Sequence, residues 1–150
     1  MRTALSIAEK ISILGACPVF TGVPPTELAT LAEMMRTEYL RESEILFEAG
    51  EISDRVYVVA SGTLNVLLPA QSRRLRILGR GELVGEYGMF SDLARTATLQ
   101  AATEVVLLCL DYRRFRVFLL RYPEATLVLL KTTVERLLAA ESLVRGETLD

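Results

Sequence analysis

Between Thr37 and Leu110 the apolar residues come only in short β-branched or aromatic runs, each cut off by glycine or polar turn residues. Nowhere in that interval does helical spacing last long enough to carry the chain across a sheet. Antiparallel partners need only tight turns, whereas parallel partners need crossovers of about a dozen residues or more. The pattern therefore predicts strands at Thr37–Leu40, Ile45–Phe47, Val56–Ala60, Thr63–Leu68, Arg74–Leu78, Leu83–Val84, Ala97–Ala101 and Val105–Leu110. The expected fold is mainly β with flanking α: an eight-stranded antiparallel β-roll, or jelly roll, with N-terminal helices and two C-terminal helices. Ser61-Gly62 is expected to join one hairpin, and Pro69-Ala70-Gln71-Ser72 to supply a longer turn for the next.

The flanks read differently. Leu5, Ile7, Ala8, Ile11 and Leu14 recur at helical spacing, and Gly15 stops the pattern. A second helix is expected after Pro24-Pro25, with Thr26 as N-cap and Leu28, Leu31, Ala32 and Met35 on its buried face. Downstream of the strands, Asp111 caps a helix running through Phe115, Phe118 and Leu119 to about Arg121. Pro123 then opens a last helix to about Arg145, ahead of Gly146. At the helical rise it would be about 34 Å long, and its stripe of Leu127, Leu130, Val134, Leu137, Leu138 and Val144 exceeds what one small roll needs. The 150 residues thus read as a single domain: a helical part over 1–36, the β-roll over 37–110 and C-terminal helices over 111–146. A chain of this size buries about two-thirds of its unfolded surface and needs no disulfide or structural metal.

Composition removes several chemistries. With no histidine, Ser-His-Asp and Cys-His nucleophile systems and His-ligated metals are excluded. Cys17 and Cys109 are too few for a four-cysteine site, and they fit core packing in a reducing cytoplasm. A net charge of -2 lacks the electrostatic footprint of a nucleic-acid-binding domain. Arg73, Arg74, Arg76 and Arg80, and likewise Arg113, Arg114 and Arg116, read as solvated faces. The longest uncharged stretch, Val56 to Ser72, is broken by Ser61, Gly62, Asn65, Pro69 and Gln71 and reads as strands, not a membrane span. The expectation is a cytoplasmic protein that binds no nucleic acid by this chain alone and no membrane.

One segment stands apart, GELVGEYGMFSDLARTATLQA from Gly81 to Ala101. Gly85-Glu86-Tyr87-Gly88 follows a short strand and leads into what fits a single helical turn, whose free amides face any anion in front of them. Arg95, just before the next strand, can return to the same spot, so that a carboxylate and a guanidinium share one cavity.

These residues resemble the phosphate-binding cassette of the cyclic nucleotide-binding domain family, Phe-Gly-Glu-x-Ala/Gly-Leu, a spacer, then Arg-Ser/Ala/Thr-Ala-Thr. Here the cassette is Val84-Gly85-Glu86-Tyr87-Gly88-Met89 and Arg95-Thr96-Ala97-Thr98. Ala49 to Val66 is similar to the family's Gly-Glu-x-x-Asp-x-x-Tyr signature, and the resemblance runs from about Cys17 to Val144. It implies a ligand, cAMP or cGMP, and no further cofactor. Arg95 would grip the phosphate, with amides of Gly85, Glu86, Tyr87 and Ala97 beside it and glycines at 85 and 88 allowing close approach. Glu86 would accept from the ribose 2′-hydroxyl. Thr96 falls at a position whose hydroxyl reaches the phosphate or a guanine amine, and leaves the base open. Val66, Leu75, Val84 and Arg136 are the base-pocket candidates. Val84 and Tyr87 depart from the family's usual aromatic and aliphatic residues there. The adenine-contacting pair of the family's bacterial catabolite activator protein falls near Ala140 and Glu141, so base recognition differs or is looser, through Arg136, Ser142 or an apolar lid.

The implied function is a sensor that relays occupancy through its last helix to a second copy or an effector protein. The alternative is a ligand-free interaction or dimerisation module of the same fold. An enzyme has no support in the residues present.

Overall fold

In the computed structural model, which describes residues 4–68, 73–91 and 94–144 and for 73–75 and 143–144 the backbone only, Ser6 opens the first helix. Its hydroxyl accepts from the Glu9 amide while the Glu9 carboxylate accepts from the Ser6 amide, a reciprocal cap on α1 (Ile7–Gly15). The helix runs through Gly15 and ends at Ala16, one residue later than glycine punctuation suggests. A short 3-10 turn, Pro18–Phe20, leads to α2 (Pro25–Met34). Here Pro24 is the N-cap and Thr26 lies inside the first turn, correcting the expectation that Thr26 caps it. Pro25 suits the first helical position because its missing N–H would have no partner there anyway. Lys10, buried, donates from Nζ to the carbonyls of Met35 at 2.6 Å and Ala32 at 3.4 Å, fastening α1 to the end of α2.

The strands are β1 (Arg36–Leu40), β2 (Ile45–Phe47), β3 (Arg55–Ser61), β4 (Leu64–Leu68), β5 (Arg73–Leu78), β6 (Leu83–Val84), β7 (Thr98–Ala101) and β8 (Val105–Asp111). Each falls within a residue of its expected bounds. They form two four-stranded antiparallel sheets, ordered β1-β8-β3-β6 and β2-β7-β4-β5, the β-roll expected from the pattern. One turn of helix, α3 (Tyr87–Ser91), lies between β6 and β7, and α4 (Tyr112–Arg121) and α5 (Pro123–Val144) follow. Asp111 caps α4 as expected, its carboxylate accepting from the Arg114 amide at 2.9 Å.

β3 explains why the core divides in two. Its residues Val56 to Ala60 are all buried, because both faces are covered. Val56, Val58 and Ala60 pack with Leu83, Leu108 and Leu110 under α1, α2, α4 and α5. Tyr57 and Val59 point the other way, into the roll, with Phe47, Val66, Leu78, Val84 and Leu99. The free cysteines divide likewise, Cys17 under the helices and Cys109 in the roll.

Ser61-Gly62 does not join a hairpin. β3 and β4 belong to different sheets, and β3 has a register shift between Val59 and Ser61 that bends the chain from one sheet to the other. The Pro69–Ser72 turn between the paired strands β4 and β5 lies outside the described residues, as does the expected stop at Arg145-Gly146. α5 buries Ala125 and Leu129, while Leu127 at 65%, Leu130 at 58%, Val134 at 44%, Leu137 at 57% and Leu138 at 56% relative exposure face outward. Val144, the last of that stripe, has no described side chain. Among the described residues, no helix is long and apolar enough to cross a membrane.

Gly62 has φ +82°, and a Cβ there would stand 2.0 Å from the Glu104 carbonyl oxygen. Gly62→Ala should therefore cost about 2 kcal/mol or more, read as a lowered urea midpoint at unchanged slope.

Candidate functional site

β6 ends on β3, and the chain leaves it at Gly85 with φ +90° beside the Arg55 carbonyl. A Cβ at residue 85 would lie 2.7 Å from Arg95 Nη1 and 3.0 Å from that carbonyl oxygen, so both conformation and space require glycine. The chain then turns through Glu86 into α3 and returns at Arg95. There the backbone is clamped to the loop before β3: the Arg95 amide donates to Glu51 O and its carbonyl accepts from the Gly50 amide, both at 2.8 Å.

Arg95 is 9% exposed and points inward. Nη1 donates to Gly85 O at 2.9 Å and to the Tyr112 hydroxyl at 3.3 Å, and Nη2 donates to Arg55 O at 3.0 Å. The guanidinium lies over the Phe47 ring, 4.0 Å from its centroid. All these partners are neutral, and none of the ion pairs among the described residues includes Arg95. Tyr112, the first residue of α4, also bonds Gly85 O and Ser53 Oγ through its hydroxyl, and its amide donates to Asp54 O at 3.0 Å. One phenol thus ties α4, the β3 entry and the Gly85 turn together. Burial pushes its pKa up, partly offset by the charge of Arg95, so it remains a neutral donor.

Glu86 is only 1% exposed. Its partner comes from α5: Arg136, 8% exposed, donates from Nη1 to Glu86 Oε1 at 3.2 Å and to Leu83 O at 2.8 Å, with Glu82 Oε1 3.8 Å from Nη2. Burial pushes the Glu86 pKa up, and Arg136, its own backbone, Arg76 and Arg95 pull it back.

These groups converge on one cavity of about 60 Å³. The walls bring together all seven loop residues singled out from the sequence, Gly85, Glu86, Tyr87, Gly88, Arg95, Thr96 and Ala97, with Val66, Val84 and Arg136. The Leu75 side chain lies outside the described residues, and the β5 residues lining the cavity are Arg76 and Leu78. Arg76 is therefore not part of a solvated face. Phe47, Arg76, Leu78, Ala94 and Leu99 complete the lining, and none was singled out. The signal present for Tyr112 was an aromatic directly after the helix cap, whereas Arg76, one of three arginines in β5, carried none. Among the described residues, no group of three or more His, Cys, Asp or Glu is placed to hold a metal ion.

A β-roll with a Gly-Glu turn, a returning arginine and a C-terminal helix reaching into the cavity defines a domain class with an enclosed cationic site. The family model of the cyclic nucleotide-binding domain matches residues 37–122, and the chain belongs to that family. It is 31% identical over 130 residues to a cyclic nucleotide-gated potassium channel of Mesorhizobium japonicum, covering 87% of this chain and 36% of that protein. It is 29% identical over 128 residues to a CRP-like cAMP-activated global transcriptional regulator of Mycobacterium tuberculosis, covering 83% of this chain and 57% of that protein. The catabolite activator protein of Thermus thermophilus superposes with a TM-score of 0.73 at 25% identity, covering 85% of this chain and 62% of that one. The chain thus spans only part of the length of these relatives.

Tyr112→Phe would leave the Gly85 carbonyl and the Ser53 hydroxyl short of a partner in a half-buried site. It should lower stability by about 1–2 kcal/mol, checked by thermal unfolding followed by circular dichroism.

Proposed function

We propose that this domain is a regulatory sensor that takes cAMP or cGMP into the cavity and reports occupancy through α5. The observation that carries the reading is Arg95, a buried guanidinium whose acceptors are all neutral. A buried cation with no directly paired counter-ion is costly, and an anion entering the cavity relieves that cost. In this reading the Arg95 fork takes two phosphate oxygens, and the amides of Gly85, Glu86, Tyr87 and Ala97 and the Thr96 hydroxyl donate to the rest. Gly88 permits close approach, Glu86 accepts from the ribose 2′-hydroxyl, and Val66 and Val84 line the base.

The cavity of about 60 Å³ holds a few waters, whereas ligand sites usually enclose about 300 Å³ or more. Arg136 is the group whose withdrawal opens it, and Glu86 is the acceptor for which Arg136 and the ribose compete. A ligand shifts α5 only as far as it binds the two helix positions unequally. The output would be a second copy of the chain or a separate effector met through α5, in the cytoplasm, with the ligand bound and not consumed.

Calorimetric titration tests this directly. Either nucleotide at about a hundredfold excess over its dissociation constant should add about 2.7 kcal/mol of stability, and Arg95→Ala should weaken binding about a hundredfold or more. An unchanged affinity in that variant, or no heat with either nucleotide, overturns the assignment.

The exposed stripe of α5 favours a second role alongside the first, as a dimer or effector surface. Replacing Leu130 and Leu137 with Glu should shift sedimentation from dimer to monomer. A wild-type chain that sediments as a monomer leaves the stripe to an effector.

A further inference from the structure

A second hollow lies on the outside of the roll, an open groove of about 740 Å³. Its walls are Ile52 and Ser53 from the loop before β3, Met89 from α3, and Tyr112, Arg113 and Arg116 from α4. Ile52 stands at its rim, 91% exposed.

α4 continues the groove along one face. Phe115, Phe118 and Leu119 are buried, whereas Arg113, Arg116, Val117 and Leu120 are exposed, Val117 at 61% and Leu120 at 73%. Those four positions follow the i, i+3, i+4, i+7 spacing, so they form a single stripe, cationic at its start and apolar at its end. Neither end of the stripe serves α4 itself. The start of a helix favours anions and disfavours cations, and the carboxylate available there, the Asp111 cap, is taken by Arg114 at 3.2 Å. Arg121 has Glu27 at 3.1 Å, but none of the ion pairs among the described residues includes Arg113 or Arg116. The acids on either side of Ile52 and Ser53 are engaged as well: Asp54 pairs with Arg55, and the Glu51 carboxylate accepts from the Glu48 amide.

We propose that this groove is a docking site for an acidic amphipathic helix of a partner protein. Two of its carboxylates meet Arg113 and Arg116, its apolar residues lie along Val117 and Leu120, and Ile52 packs against its flank. The spacing suits a helix, because residues three or four apart stand about 5–6 Å from each other on both surfaces. Exposed ion pairs contribute little by themselves. The apolar contact therefore supplies the affinity, and the two arginines select an acidic partner and fix its direction. An anionic membrane fits less well, since the surface is concave and the chain carries a net charge of -2. The docking site does not depend on nucleotide binding, and its test needs no nucleotide.

That test is fluorescence anisotropy on the full chain. The probe is a labelled synthetic helix of about sixteen residues, with two glutamates one turn apart followed by leucines at the same spacing. It should bind the wild type with a dissociation constant of about 10–100 μM. Arg113→Glu combined with Arg116→Glu should weaken binding about tenfold or more, and so should Val117→Ser combined with Leu120→Ser. A probe carrying lysines in place of the glutamates should bind the charge-reversed variant and not the wild type, a recovery that an unfolded variant cannot give. No binding to the wild type, equal binding of a scrambled probe of the same composition, or an affinity unmoved in either double variant would overturn the proposal. So would co-sedimentation of the wild type with phosphatidylserine vesicles that the charge-reversed variant loses, which would make the face a membrane contact. Self-association abolished by Val117→Ser with Leu120→Ser would overturn it too, by giving the groove to a second copy of the chain. The scrambled-probe and vesicle arms use the native chain, so a poorly folding variant does not shield the proposal.

Discussion

A guanidinium held away from water with no carboxylate among its hydrogen-bond partners organises this molecule. Arg95 and Arg136 are almost equally buried, at 9% and 8% exposure, yet their surroundings differ. Arg136 has the Glu86 carboxylate, whereas Arg95 has two carbonyls, a phenol and an aromatic face. Keeping a cation in such a place is unfavourable unless the neighbours leave it little choice. Here they do: Gly85 has no Cβ to push it out, Gly50 and Glu51 clamp its backbone, and Phe47 supports its face. Two sequence signatures far apart in the chain therefore serve one side chain, the first by holding the backbone of Arg95 and the second by supplying Arg95 itself.

The second organising contact is the bridge from Glu86 to Arg136. Glu86 belongs to the rigid roll and Arg136 to α5, so their ion pair is where the cavity and the C-terminal helix share an acceptor. Such a pair is costly to break in half, because each partner alone would be a stranded buried charge. In the proposed reading a sugar hydroxyl donating to Glu86 would spare the carboxylate that fate, and Glu82, already 3.8 Å from Nη2, would remain as a partner for Arg136.

The strands were legible because period and punctuation agree, and β3 was legible as an unbroken apolar run because both of its faces are covered. The hairpin at Ser61-Gly62 was misread for a physical reason: turn residues announce that the chain reverses, not which sheet receives it, and the register shift that sends β4 to the other sheet has no signature in residue type. At α2, Thr26 looked like the cap because a hydroxyl near a helix start usually is one, but two prolines had already set the entry. The loop residues of the cavity were readable as one contiguous motif. Phe47 and Arg76 on the cavity wall and Tyr112 behind Arg95 were not, because they come from distant strands and a helix, and only the register of β5 against β4 turns Arg76 inward.

The buried side of α5 is sparse, Ala125 and Leu129 near the start and Arg136 further along, while five large apolar residues face outward. The helix is thus held near its N-terminus by packing and near its middle by a polar contact. Packing against a close-fitted core resists movement, whereas the Arg136 contact has a second acceptor within reach, Glu82 Oε1 at 3.8 Å from Nη2. Any displacement should therefore hinge near Pro123 and grow toward the distal turns, carrying the apolar face of Val134, Leu137 and Leu138 with it. A change at one buried carboxylate would then be expressed as a change in where a large apolar surface points, which is the kind of signal another protein can read.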